Sequence, residues 1–397
     1  MFFVYLLFLR TNNRPHGNER SVQNISRPLG FLTLRTGELM DRVELLLKEI
    51  TEANGVSGYE QEVRRIMARE LEGKVDEIQY DKMGSILGRK KGTSDRPRVM
   101  VVGHMDEVGF MVKEITPDGY IKFLPLGGWW GHVALGQRMR VITTKGSVPG
   151  VVGSQPPHLL LEEERKKVLQ IKDMFIDVGT QQKFDIKKKL GIRLGDPIVP
   201  DSQFTIMGNR KMYMSKAFDN RVSCAIVLEL TRKFQKARHP NTLLASASVQ
   251  EEVGLRGAQT LAHMADPDVC IVVDVGIGQD IPPEGAKKSE KLGGGPAILI
   301  YDAMMIPNVK LRDLVVDAAE EKKIPYHLTY MERGATDGAR IHMSRIGVPS
   351  VVIGPPVRYI HSHNGILNRT DYDNTARLIG EVIKKLDKKT VDSLTEG

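Results

Sequence analysis

The chain has 397 residues, 41% apolar and 27% charged, which excludes collagenous, mucin-like and disordered chains and suits one large domain or two of ordinary size. Its 57 Lys+Arg against 49 Asp+Glu give +8, but the densest basic runs, Lys166-Lys167, Lys187-Lys188-Lys189 and Lys384-Lys385, have no aromatic residues among them, so nucleic-acid binding is not indicated. Two cysteines, Cys224 and Cys270, each inside an apolar run, exclude a disulfide framework and a thiolate metal cage and point to a reducing, cytoplasmic setting.

The opening run MFFVYLLFLR has no basic segment before it and is too short to span a bilayer; no clear cleavage site follows it. Residues 1–39 read as a poorly ordered extension, and no membrane role is expected of the chain. Met40 opens an amphipathic helix. Ser57 and Glu60 have the spacing of a capping box, and Val63, Ile66, Met67 and Leu71 recur at helical spacing, which predicts a helix near 58–72. Arg98–Asp106 is a continuous apolar run ending in polar residues, the pattern of a strand buried on both faces whose end meets a crevice.

Between 107 and 205 short strand-like pieces alternate with glycine and proline: Tyr120–Leu124, Arg138–Thr143, Ser147–Val152, Met174–Val178 and Asp196–Val199. After 205 the alternation of long helix and buried strand returns. Val222, Ala225, Ile226, Leu230 and Phe234 form a helical stripe, Thr242–Val249, Val269–Val275 and Ser350–Gly354 read as strands, and helices are expected near 308–322 and 371–387. The expected fold class is α/β: a three-layer sandwich around a mostly parallel sheet, from residues 40–106 and 206–397, with residues 107–205 inserted as a small all-β domain.

Chemistry-bearing residues gather at the predicted strand ends. His104 and Asp106 lie two apart, where alternation points both side chains the same way, and Asp106 can hold the second ring nitrogen of His104. Asp219, directly before a helix, suits an N-cap, or a carboxylate bridging two metal ions. Glu251 and Glu252 follow a strand and precede Gly254 and Gly257, so both carboxylates can reach one crevice. Neighbouring carboxylates in a partly dry site need a compensating charge, and a divalent cation supplies it. One glutamate can then bind the cation while the other serves as general base toward a water.

Asp274 ends a buried run, where a charge must be paired with Lys or Arg or bind a metal. His361 and His363 follow the Pro355-Pro356 turn, and either can face the crevice. Counted together, His104, Asp219, Glu252, Asp274 and His361 make a mixed His and carboxylate donor set suited to Zn²⁺, with Co²⁺ or Mn²⁺ also accepted. Five such ligands suffice for two ions roughly 3.5–4 Å apart.

From about Met40 to Lys388 these segments, in this order, resemble the tetrahedral (TET) metallo-aminopeptidases, a family that includes glutamyl and deblocking aminopeptidases and members labelled endoglucanases. The blocks that carry the resemblance are His104-Met-Asp106-Glu-Val-Gly109, Lys216-Ala-Phe-Asp219-Asn-Arg221, Gln250-Glu-Glu-Val-Gly-Leu-Arg-Gly257, Asp274 and Arg358-Tyr-Ile-His361-Ser362. The resemblance implies an aminopeptidase with two divalent ions per subunit, a bridging Asp219, Glu252 and His361 completing the shell beside His104 and Asp274, Glu251 as base and Asp106 orienting His104. It leaves open which ion His104 and Asp274 serve. It further implies peptide substrates with a free N-terminus, and an inserted β domain used in dimer contacts that build dodecamers. The family usually has an acidic residue four positions after the histidine matching His361, where this chain has Gly365. A metal-dependent deacylase or carboxypeptidase is the nearest alternative. A glycosidase needs two carboxylates across a sugar bond and leaves the histidines without a purpose.

Overall fold

A computed structural model describes residues 39–180, 185–282 and 290–396; the extension expected over 1–39 lies, but for its last residue, outside them. Among the described residues no helix is long and apolar enough to cross a membrane.

The fold is mixed α/β, with an eight-stranded sheet, a five-stranded sheet and a closed six-stranded barrel. The large sheet runs in the order Glu77–Tyr80, Ile86–Lys91, Thr242–Ser248, Arg98–His104, Val269–Val273, Ser350–Gly354, Ala297–Tyr301 and His327–Tyr330. Its four central strands are mutually parallel, and antiparallel pairings join them to the strands on either side. These central strands are almost wholly buried, which explains their unbroken apolar runs. On one face Met100, Val102, Leu244 and Val272 pack against Ala258, Leu261 and Ala262 of the helix Arg256–Ala265. On the other, Gly103 lets the helix Phe218–Phe234 approach so closely that an added Cβ would stand 2.7 Å from Ser223 Cβ. Each large side chain buried in these layers contributes roughly 1.5–3 kcal/mol.

The barrel closes in the order Gly109–Ile115, Ile121–Leu126, Phe175–Asp177, Gly146–Gly153, Arg138–Thr143 and Pro197–Pro200. Phe110, Phe123, Trp129, Met139, Val141 and Ile198 fill it, with the Phe110 ring 4.6 Å from Phe123 and 4.8 Å from Trp129. The five-stranded sheet, in the order Thr205–Ile206, Met212–Ser215, Gly365–Asn368, Pro356–Arg358 and Gly276–Ile277, receives two chain segments directly from the large sheet. Val269–Val273 continues into Gly276–Ile277, and Ser350–Gly354 into Pro356–Arg358, with parallel pairing kept on both sides of the crossing. At that crossing a Cβ on Gly354 would lie 1.7 Å from the Asp274 carbonyl oxygen.

Several expectations are corrected. The helix predicted near 58–72 runs Gln61–Leu71, but Ser57 and Glu60 form no capping box. Ser57 donates to Asp106, and Glu60 accepts from the amides of Gly58 and Gln250, so both are drawn into the site rather than the helix end. Asp219 caps nothing: the chain enters that helix through Ala217 in the left-handed region, and the Asp219 side chain points elsewhere. The strand Gly109–Ile115, which completes the barrel, escapes the sequence pattern because its run, GFMVKEI, merges with the polar motif before it.

Candidate metal centre

The parallel register brings the carboxyl ends of the central strands side by side, since His104 pairs with Ser248 and Val273 with Ile353. Crevices at such strand ends are where open α/β sheets bind ligands. His104 ends its strand and is buried; its Nδ1 lies 3.1 Å from the Asp106 carbonyl oxygen, which fixes the ring and turns Nε2 toward Asp219 Oδ1 at 3.3 Å and Glu251 Oε2 at 3.8 Å. His361, on the hairpin loop between Pro356–Arg358 and Gly365–Asn368, is oriented in the same manner by the Gly128 carbonyl at 2.9 Å. Its Nε2 faces Asp219 Oδ2 at 3.4 Å and Glu252 Oε2 at 3.5 Å. Asp219 therefore presents one carboxylate oxygen to each histidine.

Ligand-capable atoms within 4.8 Å of one another form the groups His104–Asp219–Asp274, Asp219–Glu252–His361 and His104–Glu251–Glu252. All six residues meet in one cluster. Asp106 stands behind it: Oδ1 accepts the Glu251 amide at 3.0 Å, and Oδ2 accepts the Glu252 amide at 3.1 Å and the Ser57 hydroxyl at 2.6 Å. Fixing both amides on one carboxylate holds the two glutamates over the crevice. Gln250 and Leu255 in the left-handed region, and Gly254 at φ +124°, make the turn.

Fully ionised, the four carboxylates Asp219, Glu251, Glu252 and Asp274 would outnumber the two histidines that face them. Among the described residues Asp274 forms no ion pair with Lys or Arg; its Oδ1 accepts only the adjacent Val275 amide. Burial pushes Asp274 and Glu252 up to about 8, and pushes Glu251 well above the usual carboxylate range, with Asp274 and Asp337 adding repulsion. Glu252 Oε1 is buried without a partner. Asp219 goes the other way: burial opposes its charge, but hydrogen bonds from His104 and His361 hold it well below the usual range. His361 is pushed up to about 10 because Asp219 and Glu252 outweigh burial. Buried oxygens that resist ionisation, together with two imidazoles whose second nitrogens are already tied, fit a site for divalent cations.

The cluster opens onto a cavity of about 610 Å³, whose wall includes Leu255, Ile277, Met304, Met331 and Ile360. His363, open as an alternative to His361, lies outside the cluster, with Nε2 2.9 Å from the Arg138 carbonyl of the barrel. Gly365 is tightly packed: a Cβ there would meet Val357 Cγ1 at 3.0 Å, so that side chain would have to give way by a few tenths of an ångström. Sequence reasoning missed Asp337, buried behind His104 with Ser248 donating to it and the other oxygen unpartnered. It also missed Glu60, pushed up to about 7 by burial and by Asp106. The Thr336-Asp337-Gly338 run resembles an ordinary helix start, so only the packing reveals it.

Comparison with known proteins agrees with this geometry. The profile of the M42 glutamyl aminopeptidase family matches residues 84–378, and one described as AMPT matches residues 41–67. FrvX of Escherichia coli K12 is 40% identical over 354 residues, 88% of this chain and 98% of that protein. The crystal structure of a TET aminopeptidase from a marine-sediment Thaumarchaeota archaeon is 47% identical, with a TM-score of 0.87 over 90% of this chain and 100% of that one. The TET1 peptidase of Pyrococcus horikoshii, described as able to assemble into a tetrahedron or a large octahedral shell, is 28% identical, with a TM-score of 0.76 over 87% of this chain and 100% of that one.

Proposed function

The chain belongs to the M42 glutamyl aminopeptidase family, and from that premise we propose that it is a dinuclear metal-dependent aminopeptidase that removes residues from the free N-terminus of peptides. One cation position would be held by His104, Asp274 and Asp219, the other by His361, Glu252 and Asp219. The observation that supports this most is the Asp219 carboxylate, with one oxygen 3.3 Å from His104 Nε2 and the other 3.4 Å from His361 Nε2. Zn²⁺ suits the donor set, and Co²⁺ or Mn²⁺ can take the same positions.

When bound, the two cations would supply Lewis acidity to the scissile carbonyl and to the attacking water. Glu251 is the carboxylate without a place in either of these two triads, and it is left free for proton transfer. Its Oε2, 3.8 Å from His104 Nε2, takes the proton from the water and then delivers it to the leaving amine. Asp106 keeps His104 and both glutamate amides in place.

On this reading the sheet-and-helix part is a three-layer catalytic domain and the barrel is an inserted domain serving dimer contacts, with dodecamers as the assembly, in keeping with the shells described for the Pyrococcus TET1 peptidase. The two buried free cysteines suit the cytoplasm. Glu251→Gln tests the mechanism: the variant should bind two cations per chain while losing at least about 100-fold in turnover of aminoacyl anilides. Turnover retained within a few fold refutes Glu251 as base. Cleavage of N-blocked peptides in preference to free-amine ones refutes the aminopeptidase reading in favour of a deacylase or carboxypeptidase.

A further inference from the structure

The two candidate cation positions are held in different ways. His104 and Asp274 project from adjacent strands in the middle of the large sheet, and the His104 side chain is 3% exposed. His361 rides on the hairpin loop 359–364, its side chain 35% exposed, with Tyr359 and His361 both in the left-handed region. Beyond the hairpin's own two strands, the hydrogen bonds that fasten this loop lead to the barrel. Gly128 accepts from His361 Nδ1, Arg138 accepts from His363 Nε2 at 2.9 Å, and Ser202 donates to Asn364 Oδ1. The Trp129 ring also meets the His363 ring edge-on at 5.6 Å.

The barrel segment through Gly127 and Gly128 lies directly against both ligands of this half. A Cβ on Gly127 would stand 3.1 Å from Glu252 Oε2, and one on Gly128 3.0 Å from His361 Nδ1. Among the described residues no barrel group forms a hydrogen bond with the His104 or Asp274 side chain. His363 is 4% exposed, belongs to none of the ligand groups, and has no partner at Nδ1, so its single polar bond is the anchor to Arg138.

We infer that His363 is a positioning residue: by tying the 359–364 loop to the Arg138 carbonyl it holds His361 over Asp219 and Glu252, so that the barrel selectively sets the affinity of that cation position. The inference rests on the two-cation reading above. Groups that orient a ligand from behind typically change metal affinity by roughly 10–100-fold when removed.

The full chain, stripped with chelator and titrated with Zn²⁺ in a calorimeter, provides the test, with bound metal counted by mass spectrometry after dialysis. Wild type should take up two ions per chain. His363→Ala should keep one at wild-type affinity and bind the second roughly 10–100-fold more weakly. His363→Gln, whose amide can donate to Arg138, should recover part of the loss. Ser202→Ala, which removes the neighbouring anchor with little change in volume, should weaken the same ion, while the metal-free melting temperatures of all four proteins stay close together. Two ions bound by His363→Ala as in wild type, or both ions weakened equally, overturns the inference. Fewer than two ions bound by wild type overturns the two-cation reading and the inference with it.

Discussion

Glu107→Gln probes the charge network that clamps the metal centre from behind. Glu107 Oε1 lies 2.6 Å from Lys216 Nζ and 3.3 Å from Arg221 Nη2, and all three side chains are buried. Lys216 and Arg221 bracket Asp219 in the chain, while Glu107 follows Asp106, so these contacts lock two loops of the site together. Burial pushes Lys216 from its ordinary 10.5 down to about 8, so holding the charged amine already costs the fold on the order of a few kcal/mol at pH 7. Without the carboxylate, the amine can escape only by folding neutral, which at pH 7 costs about one pH unit's worth more, on the order of 1–2 kcal/mol. Arg221 keeps the carbonyls of Ile50, Ala53, Gly55 and Met105. Its lost charged contact adds roughly 1.5–3 kcal/mol. The variant should therefore be about 3–4 kcal/mol less stable at pH 7, within the range of roughly 3–5 kcal/mol for breaking a buried pair.

The same reasoning fixes the pH dependence of that loss. Below about pH 8 the wild-type folded chain holds the Lys216 proton and the variant does not, so the variant alone binds fewer protons folded than unfolded. Its deficit should grow by up to about 1.4 kcal/mol for each pH unit below 8 and shrink to the Arg221 part by pH 9. Denaturant unfolding followed by circular dichroism at pH 6, 7, 8 and 9, at one protein concentration, measures it. A deficit constant across that range refutes the assignment of the charge to Lys216.

Metal removal should make stability fall with rising pH. Glu252 and Asp274 have folded-state values raised to about 8, so between the ordinary carboxylate range and pH 8 the metal-free fold retains protons that the unfolded chain has shed. Zn²⁺ should accordingly raise the melting temperature more at pH 8 than at pH 6, and an equal or reversed gain in thermal scans counts against the cluster as a cation site. Gly354→Ala forces a Cβ to within 1.7 Å of the Asp274 carbonyl, so it should cost roughly 3 kcal/mol or more and lower the bound metal per chain. Unchanged metal content and melting temperature would mean that the crossing between the sheets does not set the position of Asp274.

What the sequence makes legible follows from how locally each feature is encoded. The buried strand before His104 and the helix ending at Phe234 announce themselves because burial on both faces, or on one helical stripe, leaves unbroken or periodic apolar runs. The edge strand His327–Tyr330 does not, since a short, half-exposed strand carries little pattern, and Ala297–Tyr301, though buried over its first three residues, is an apolar run too short to tell from a piece of helix. At the site, the residue types and spacing identify the six side chains that the structure brings together, whereas their supports stay hidden. Ser57 and Glu60 match a helix cap in spacing, and only the return of the chain past residue 106 and residue 250 gives their oxygens other partners. Hydrogen bonds between residues 49 and 190 positions apart leave no local trace.

The support of Asp106 explains how two consecutive glutamates act separately. Along an extended chain successive side chains diverge, and in a helix they are about 100° apart, so neither geometry aims neighbours at one crevice. Here Asp106 accepts both amides, one on each carboxylate oxygen, and the chain departs at once through Gly254. Glu252 then reaches His361 at 3.5 Å while Glu251 reaches His104 at 3.8 Å. The carboxylate that orders this turn stays ionised despite full burial, because His104, Ser57 and the Glu251 amide all favour its charge. A neutral side chain at 106 would offer fewer acceptors to the Glu251 and Glu252 amides and the Ser57 hydroxyl, and would loosen the separation between the ligand and the base.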